Sequence, residues 1–310
     1  MSILIDETTR VLVQGLTGAQ GRRDTEFCMA YGTRMVAGVT PGKGGAEVLG
    51  VPVFNTVRAA LASRPADAAV IYAPPLATRD AALESLDAGL KLLVVLAEFV
   101  PRHDTAVIAA AARAAGAVVV GCNTNGIISP GRSKLGGIGG ERPEEVFLPG
   151  RIGIVSRSGG MSAELGLTLK AGGHGVSTCI SMGGDVIPGT PMARHVELFM
   201  RDPGTDAVVI FGEPGTDNER GVAEMLRAGR CPKPVVALLA GEFQERYPPG
   251  VSFGHVAAMI ANDDDRVSAK RRMLRDAGAH VVRRLDEIAP LLDRLLPRGG
   301  GIAALERSHG

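Results

Sequence analysis

The sequence predicts an α/β protein with two domains, a Rossmann-like domain followed by a flavodoxin-like one. Short runs rich in Val and Ile alternate with longer segments rich in Ala, Leu and charge, which is typical of a parallel sheet covered by helices. This alternation occurs twice, and a Gly- and Pro-rich stretch at 122–150 interrupts it. The 310 residues, 45% of them apolar, are enough for two cores of ordinary size.

The apolar runs place the individual elements. In the first half, strands are expected near 10–14, 34–39, 67–73, 91–96 and 117–121, and helices are expected to begin near Asn55, Thr78 and His103. In the second half, strands are expected at 151–156, 176–182, 206–213, 234–241 and 280–285. The stretch VSFGHVAAM at 251–259 is typical of a helix that begins near His255.

These elements imply a domain organisation. The first domain is expected at 1–130, a linker or functional loop at 131–150 and the second domain at 151–297. The remaining residues, 298–310, contain three consecutive glycines and no periodicity, so this tail is expected to be mobile.

Charge and cysteine usage narrow the class of protein. The 34 basic and 33 acidic residues nearly cancel, so a nucleic-acid or membrane-surface partner is not indicated. Four scattered cysteines without C-x-x-C spacing favour reduced thiols, a cytoplasmic location and no metal framework. The acidic run NDDDR at 262–266 is interpreted as a solvated turn. The other histidines (His103, His174, His195, His280 and His309) are interpreted as structural or surface residues.

The first chemical motif is VLVQGLTGAQG at 11–21. A buried strand runs into three glycines before a helix, and such a turn allows backbone N–H groups to hold a pyrophosphate. The spacing is G-x-x-G-x-x-G rather than the usual dinucleotide pattern, and Lys43 stands where an NAD site places an acid. A cation there suits the extra ribose phosphate of NADP or coenzyme A. Alternatively, the glycines only allow the helix to pack on the strand.

Two further motifs follow strands of the second half. IVSRSGGMSAE at 154–164 offers hydroxyl and amide donors for a phosphoryl group at a helix start, although an ordinary helix cap would look alike. Glu213 follows another strand, where its carboxylate can accept an imidazole N–H, and Asp185 has a similar position. If His255 takes a phosphoryl group on one ring nitrogen, a carboxylate on the other nitrogen fixes the tautomer.

With these motifs the chain resembles the α subunit of succinyl-CoA synthetase and its relatives, the nucleoside-diphosphate-forming acyl-CoA ligases. The resemblance covers roughly residues 1–296. It depends on these segments, in this order: LVQGLTGAQG, YGTRMVAGVTPGKGG, GVPVFNTV, GIVSRSGG, GGDVIPG and FGHVAAMI. It implies a coenzyme A-binding first domain, a reaction of the tricarboxylic acid cycle and a phosphorylated His255 on an exposed loop, with Glu213 as its carboxylate partner.

The resemblance also implies the remaining site residues and partners. Coenzyme A would contact Thr17, Gly18, Ala19, Gln20, Lys43, Leu96, Ala97 and Glu98. The phosphoryl group would contact Ser156, Ser158, Gly159 and Gly160. ATP or GTP with Mg²⁺ would be bound by a separate ATP-grasp β subunit in an αβ or α2β2 assembly, because nothing in this chain resembles that fold. Phosphoryl transfer to His255, then to a carboxylate, then attack by the coenzyme A thiol would complete the reaction.

Departures from the family pattern affect the expected acid pocket, to which Asn123, Thr124 and Ala163 are assigned. Thr124 stands in place of the usual cysteine, and Asn125 in place of the usual proline. In α-subunit relatives a threonine is usual at the position of Gly160, and a tyrosine at the position of Ala163. Loss of that ring and hydroxyl predicts a wider, less polar pocket than one for succinate. A coenzyme A-binding regulatory subunit and an NADP-binding redox protein remain the alternatives.

Overall fold

The computed structural model describes residues 2–251, 253–255 and 257–296. In these ranges it contains fourteen strands and nine α-helices, arranged as two sheets covered by helices. The predicted architecture of two α/β domains is therefore confirmed. None of the helices described in these ranges is long and apolar enough to cross a membrane. The tail at 298–310, expected to be mobile, lies outside the described residues.

The first sheet contains seven strands and carries four helices. Its strands are β1 (Arg10–Gln14), β2 (Arg34–Val39), β3 (Glu47–Val48), β4 (Val51–Phe54), β5 (Ala68–Ile71), β6 (Leu92–Val95) and β7 (Val118–Gly121). They lie in the order β3-β4-β2-β1-β5-β6-β7, and all neighbours are parallel except β3 and β4. The helices are α1 (Ala19–Ala30), α2 (Val57–Ser63), α3 (Thr78–Asp87) and α4 (Arg102–Ala115).

The second sheet also contains seven strands. They are β8 (Gly126–Ser129), β9 (Ser133–Leu135), β10 (Pro149–Ser156), β11 (Val176–Ser181), β12 (Ala207–Gly212), β13 (Val235–Leu239) and β14 (His280–Val282). Their order is β14-β13-β12-β10-β11-β8-β9, with the first five parallel and the last two antiparallel. The helices are α5 (Gly159–Ala171), α6 (Met192–Arg201), α7 (Asn218–Arg227), α8 (Val267–Asp276) and α9 (Ile288–Leu295).

The Gly- and Pro-rich stretch at 122–150 contributes strands that the sequence analysis did not predict. Strand β8 hydrogen-bonds to β11, and β9 hydrogen-bonds to β8, so both extend the second sheet at its edge. These strands are three or four residues long; β8 begins at Gly126, with φ 115°, and β9 follows Gly131, with φ 75°. Strand β8 thus lies within 1–130 in sequence but belongs to the second sheet, and β9 lies within the expected linker.

The two domains share part of their hydrophobic core. One buried cluster includes Val70 and Val94 of the first sheet together with Val155 and Ile180 of the second. Backbone hydrogen bonds also cross between the domains, such as Gly189 N–H donating to the Gly121 carbonyl at 2.7 Å. Burial of apolar surface and these hydrogen bonds hold the carboxyl ends of the two sheets at a common boundary.

Each sheet has a point at which the strand order reverses direction. In the first sheet this point lies between β1 and β5, and in the second it lies between β10 and β12. The loops that leave neighbouring strands in opposite directions open a crevice there, which is where open α/β sheets bind ligands. The glycine loop after β1 and the Ser158 and Glu213 loops of the second domain lie at these crevices.

The prediction of a helix at 251–259 is wrong, since the described residues of this segment form no helix. Gly254 has φ 126°, which ends any helical path at the residue before His255. After it, the Ala258 N–H donates to the His255 carbonyl at 3.0 Å, which closes a turn. Buried Ala257 and Ile260 account for the apolar pattern without a helix, because they pack into the protein from this irregular segment.

Candidate functional site

The glycine loop after β1 presents free backbone donors. Helix α1 begins after Gly18, whose backbone is extended, and no side chain caps its first turn. Gly15 has φ 81°, and a Cβ there would lie 2.9 Å from the Tyr72 carbonyl oxygen. A Cβ on Gly21 would lie 2.5 Å from the Gly15 carbonyl oxygen. Glycine is therefore required at both positions for the close turn, and the uncapped helix start remains able to bind an anion.

The loops after β1 and β2 meet at the surface. The Thr17 and Thr40 hydroxyls lie 3.2 Å apart, and the Lys43 N–H donates to the Thr40 carbonyl at 3.0 Å. The structure therefore places Lys43, which is exposed, on the same edge of the sheet as the glycine loop. Thr17, Gly18, Ala19 and Gln20 are exposed as well. Together these exposed residues form an open surface that carries the positive charge of Lys43.

The loop after β6 brings the first domain to the second. The Asn123 N–H donates to the Ala97 carbonyl at 2.9 Å, so residues 96–98 lie against the loop after β7. Glu98 is exposed and faces a cavity of about 490 Å³ between the domains. The cavity is lined by Glu98, Phe99, Val100, Pro101, Arg102, Thr105, Asn123, Asp185, Val186, Ile187, Gly254 and His255. Glu98, one of the residues expected to contact coenzyme A, therefore lines the same cavity as His255.

His255 and Glu213 form a hydrogen-bonded pair. The His255 Nδ1 lies 2.9 Å from Glu213 Oε2, although 42 residues separate them in sequence. The Glu213 side chain is 12% exposed and that of His255 is 40% exposed. The hydrogen bond that the His255 Nδ1–H donates to Glu213 raises the pKa of His255, and burial opposes this shift. The carboxylate therefore holds the proton on Nδ1 and leaves Nε2 directed away from Glu213.

Asp185 lies beside this pair and borders the same cavity. The Asn123 side-chain amide donates to Asp185 Oδ1 at 3.1 Å. Burial raises the pKa of Asp185, the Asn123 hydrogen bond opposes this, and the charge of Glu98 adds to it. A Cβ on Gly184 would lie 3.4 Å from the His255 Nδ1, so the backbone of this loop supports the imidazole ring.

The Ser-Gly segment after β10 forms the start of α5. The Ser156 hydroxyl is buried and donates to the Ser158 carbonyl at 2.7 Å, so it holds the turn rather than facing solvent. The Ser158 hydroxyl caps the helix by accepting from the Met161 N–H at 3.4 Å. Gly160 is exposed, and a Cβ there would meet open space. Each serine hydroxyl thus makes a local contact, Ser156 within the turn and Ser158 as the helix cap, and the glycine amides remain the candidate hydrogen-bond donors to a phosphoryl group.

The three residues expected in the acid pocket have different positions. Asn123 lines the cavity, but Thr124 and Ala163 are not among the described residues that do so. Thr124 is buried, with its hydroxyl donating to the Ser181 carbonyl and accepting from the Gly126 N–H at 2.8 Å. Ala163 lies on the second turn of α5, partly exposed. The Thr124 hydroxyl therefore supports the loop, which the sequence alone could not show.

Arg157 is a site residue that the sequence analysis missed, although it lies within the Ser-Gly motif. Its side chain is 1% exposed and donates to the Thr216 hydroxyl at 2.7 Å and the Asp185 carbonyl at 3.1 Å. One guanidinium thus joins the loops after β10, β11 and β12. A buried arginine was not predictable because its partners lie 28 and 59 residues away in sequence.

An exposed aromatic cluster precedes His255. The Phe253 ring lies 5.1 Å from that of Phe243 and 4.9 Å from that of Tyr247, in edge-to-face arrangements. The three side chains are 40–51% exposed. Such pairs are favourable beyond their buried area, so the cluster fixes the chain shortly before the histidine.

Fold and site together define a two-domain α/β protein with a glycine loop at an uncapped helix start in one domain and an imidazole–carboxylate pair in the other. Two family models match: residues 6–99 match the CoA binding domain, and residues 149–295 match the succinyl-CoA ligase like flavodoxin domain. The chain belongs to the family of succinate–CoA ligase α subunits, whose named members are acid–thiol ligases. The resemblance stated from the sequence is confirmed.

Relatives cover the chain almost completely. Succinate–CoA ligase [ADP-forming] subunit alpha 2 of Archaeoglobus fulgidus is 43% identical over 96% of this chain and 100% of its own length. The SauD subunit of the ADP-forming sulfoacetate-CoA ligase of Bilophila wadsworthia is 41% identical over 96% and 100%. The malate–CoA ligase alpha subunit of Methylorubrum extorquens is 39% identical over 91% and 94%.

A solved structure supports the arrangement of the two domains. ATP citrate lyase from Methanothrix soehngenii, in complex with citrate and coenzyme A, superposes with a TM-score of 0.86 at 26% identity. The match covers 96% of this chain and 52% of that chain, so this protein spans about half of the lyase.

Proposed function

We propose that this chain is the α subunit of a nucleoside-diphosphate-forming carboxylate–CoA ligase that acts through phosphorylated His255. The observation that carries the proposal is the 2.9 Å contact between His255 Nδ1 and Glu213. With the proton held on Nδ1, Nε2 keeps its lone pair and is the nucleophile. Its attack on the γ-phosphorus of ATP or GTP forms an N–P bond, breaks the bond to the β-phosphate oxygen and releases the diphosphate.

The surrounding residues support the later steps. The phosphoryl group would pass from Nε2 to a carboxylate oxygen, and the resulting acyl phosphate would be attacked by the coenzyme A sulfur with release of phosphate. The first domain fits the phosphates of coenzyme A, because the uncapped start of α1 and the exposed Lys43 lie on one sheet edge. Amides at Gly159 and Gly160 would hold the phosphoryl group. The nucleotide and Mg²⁺ would be bound by a separate ATP-grasp β subunit.

The proposed substrate is a small carboxylic acid similar to succinate. The pocket is expected to be wider than one that fits succinate, so the acid can be larger. Relatives of similar identity are named for succinate, sulfoacetate and malate. The family therefore does not by itself imply the tricarboxylic acid cycle. Ala163 and Gly160, which replace a tyrosine and a threonine of the family pattern, remove bulk at the start of α5, so an acid larger than succinate would fit there.

Labelling tests the phosphohistidine. The chain mixed with its ATP-grasp subunit, Mg²⁺ and γ-labelled nucleotide should acquire an acid-labile, base-stable phosphate, and the chain alone should not. His255→Asn should abolish the label and keep coenzyme A binding, because the first domain is unchanged. His103→Asn, at an exposed histidine outside the site, is the matched control and should label normally. Turnover by His255→Asn at the wild-type rate would reject the mechanism and favour a regulatory, coenzyme A-binding role.

Calorimetry tests the coenzyme A surface. Lys43→Ala should weaken coenzyme A binding about tenfold, because it removes one charge-assisted contact to phosphate. Lys91→Ala, at an exposed lysine that donates to the Ala115 carbonyl elsewhere on the domain, should bind as the wild type does. Unchanged affinity of the Lys43→Ala variant would remove this lysine from the site.

A further inference from the structure

A buried ammonium group lies directly behind the loop that carries Glu213. The Lys270 side chain, on α8, is 3% exposed. Its Nζ donates to the Glu213 carbonyl at 2.8 Å, to the Gly215 carbonyl at 2.6 Å and to Glu219 Oε2 at 2.7 Å. An ammonium has three N–H donors, so all three are used in holding this loop and its ion-pair partner.

The partner carboxylate is buried as well. Glu219 lies in the first turn of α7, directly after the loop, and its side chain is 0% exposed. A buried ion pair gains little net stability over an apolar pair of the same volume, because both charges lose their hydration. What such a pair does provide is directional contact, and here two of the three contacts of Lys270 go to backbone carbonyls beside Glu213.

The same loop supports the chain that follows His255. Gly215 has φ 70°, and a Cβ there would lie 2.7 Å from the Met259 carbonyl oxygen and closer still to that of Ala257. The backbones of 213–215 and 257–259 are therefore in direct contact. By fixing the carbonyls of Glu213 and Gly215, one ammonium determines where the carboxylate lies and where the histidine segment rests.

We propose that the Lys270–Glu219 ion pair is a positioning element that sets the distance between Glu213 and His255 for phosphoryl transfer. This inference rests on the proposed function of His255. The pair contacts no reacting atom and acts through the loop 213–215. A displacement of about 1 Å at a catalytic group costs roughly 100-fold in rate, so a carboxylate that must stay at hydrogen-bond distance depends on such support.

The direct test is the double variant Glu219→Gln/Lys270→Met, which removes both charges and nearly preserves volume. Labelling of His255 in the complex with the ATP-grasp subunit should slow by about 10- to 100-fold, while the nucleotide KM stays at the wild-type value. Lys134→Met is the matched control. Lys134 is also buried and donates to a backbone carbonyl, that of Gly140, away from the 213–215 loop. This control should label at the wild-type rate.

A second readout needs no partner subunit. In the full chain with ¹³C-labelled histidine, His255 is assigned by the resonance that His255→Asn removes. In the wild type its pKa should lie above the ordinary value of 6.5, since Glu213 stabilises the imidazolium. In the double variant the pKa should fall towards 6.5. A pair with only a structural role would lower the melting temperature and leave the His255 titration unchanged, which would overturn the inference.

If the double variant does not fold, Glu219→Gln alone provides the test. Glutamine has the same shape and still accepts from Lys270, so labelling should slow less and the His255 pKa should fall in the same direction. If the wild-type complex becomes labelled and Glu219→Gln shows the wild-type labelling rate and the wild-type His255 pKa, the inference is overturned and the proposed function stays intact. An unlabelled wild-type complex rejects the proposed function, whereas the titration still reports on the position of Glu213.

Discussion

At the scale of single residues, Glu213 has the largest effect on the protonation of His255, while the charges of Arg157 and Glu98 shift its pKa in opposite directions. Because Glu213 raises the pKa of His255 in the folded chain, the protonated form stabilises the fold. This contribution is fully present below the unfolded pKa of about 6.5 and is lost as the pH rises through the folded pKa. The exposed fraction of the imidazole side chain, 40%, limits its size.

Glu213→Gln should therefore lower the His255 pKa, because an amide keeps a hydrogen-bonding group and loses the charge. Histidine NMR titration measures the shift directly. The same variant should slow, but not abolish, labelling of His255 in the complex. A His255 pKa that is unchanged in Glu213→Gln would show that the 2.9 Å contact does not persist in solution.

Residues that act over long sequence distances were the least predictable part of the site. Glu213 and His255 were paired from their motifs, and the contact between them agrees with that hypothesis. Lys270 and Arg157 were not selected, since each resembles an ordinary surface cation in the sequence. Their function depends on burial against loops 28–59 residues away, which only the fold determines.

At the scale of elements, the strands with long Val- and Ile-rich runs were predicted to within a few residues. All ten predicted strands are present, because buried parallel strands need continuous apolar sequence. Strands β3, β4, β8 and β9 were missed because each is short and lies in or beside a Gly- and Pro-rich stretch, whereas β5, β6 and β7, which are also four residues long, lie within longer apolar runs. The false helix at 251–259 has the opposite cause, because buried alanines in an irregular segment imitate a helical apolar pattern.

The start of α1 gives an element-scale prediction. Gly21→Ala should destabilise the chain by about 1–3 kcal/mol, because its Cβ would lie 2.5 Å from the Gly15 carbonyl oxygen and must displace the turn. Gly160→Ala is the comparison, since the same substitution at the start of α5 meets open space. It should be neutral or stabilising by up to about 1 kcal/mol. Urea unfolding midpoints measure both, and equal midpoints would contradict the close contact.

At the scale of the whole molecule, the shared core predicts that the two domains unfold together. Val70 and Val94 belong to the same buried cluster as Ile180, so loss of either domain exposes apolar surface of the other. Ile180→Ala should lower stability by about 2–5 kcal/mol and move the unfolding of both domains equally. Hydrogen exchange at amides of β5 and β11 measures the two halves separately. Two distinct transitions would contradict a common core.

The two-domain organisation was predictable because the alternation of strands and helices restarts after the glycine-rich stretch. How the domains join was not, because strands β8 and β9 return from that stretch to the edge of the second sheet. Residues 1–130 expressed alone would therefore carry β8 without β11, its partner. The second domain therefore begins in space with β8 and β9, which precede in sequence the residue at which the second domain was predicted to begin.

The exposed aromatic cluster before His255 also has an optical consequence. The chain has no tryptophan and only three tyrosines, so it shows almost no fluorescence at the long excitation wavelengths that only tryptophan absorbs. Tyr247 lies at the surface, 4.9 Å from the Phe253 ring in the segment that carries the histidine. An indole introduced at position 247 would be the only fluorophore of its kind in the chain. Its emission would change whenever the surroundings of this segment change. Contact with a second protein could be followed in the same way if the tryptophans of that protein had been replaced.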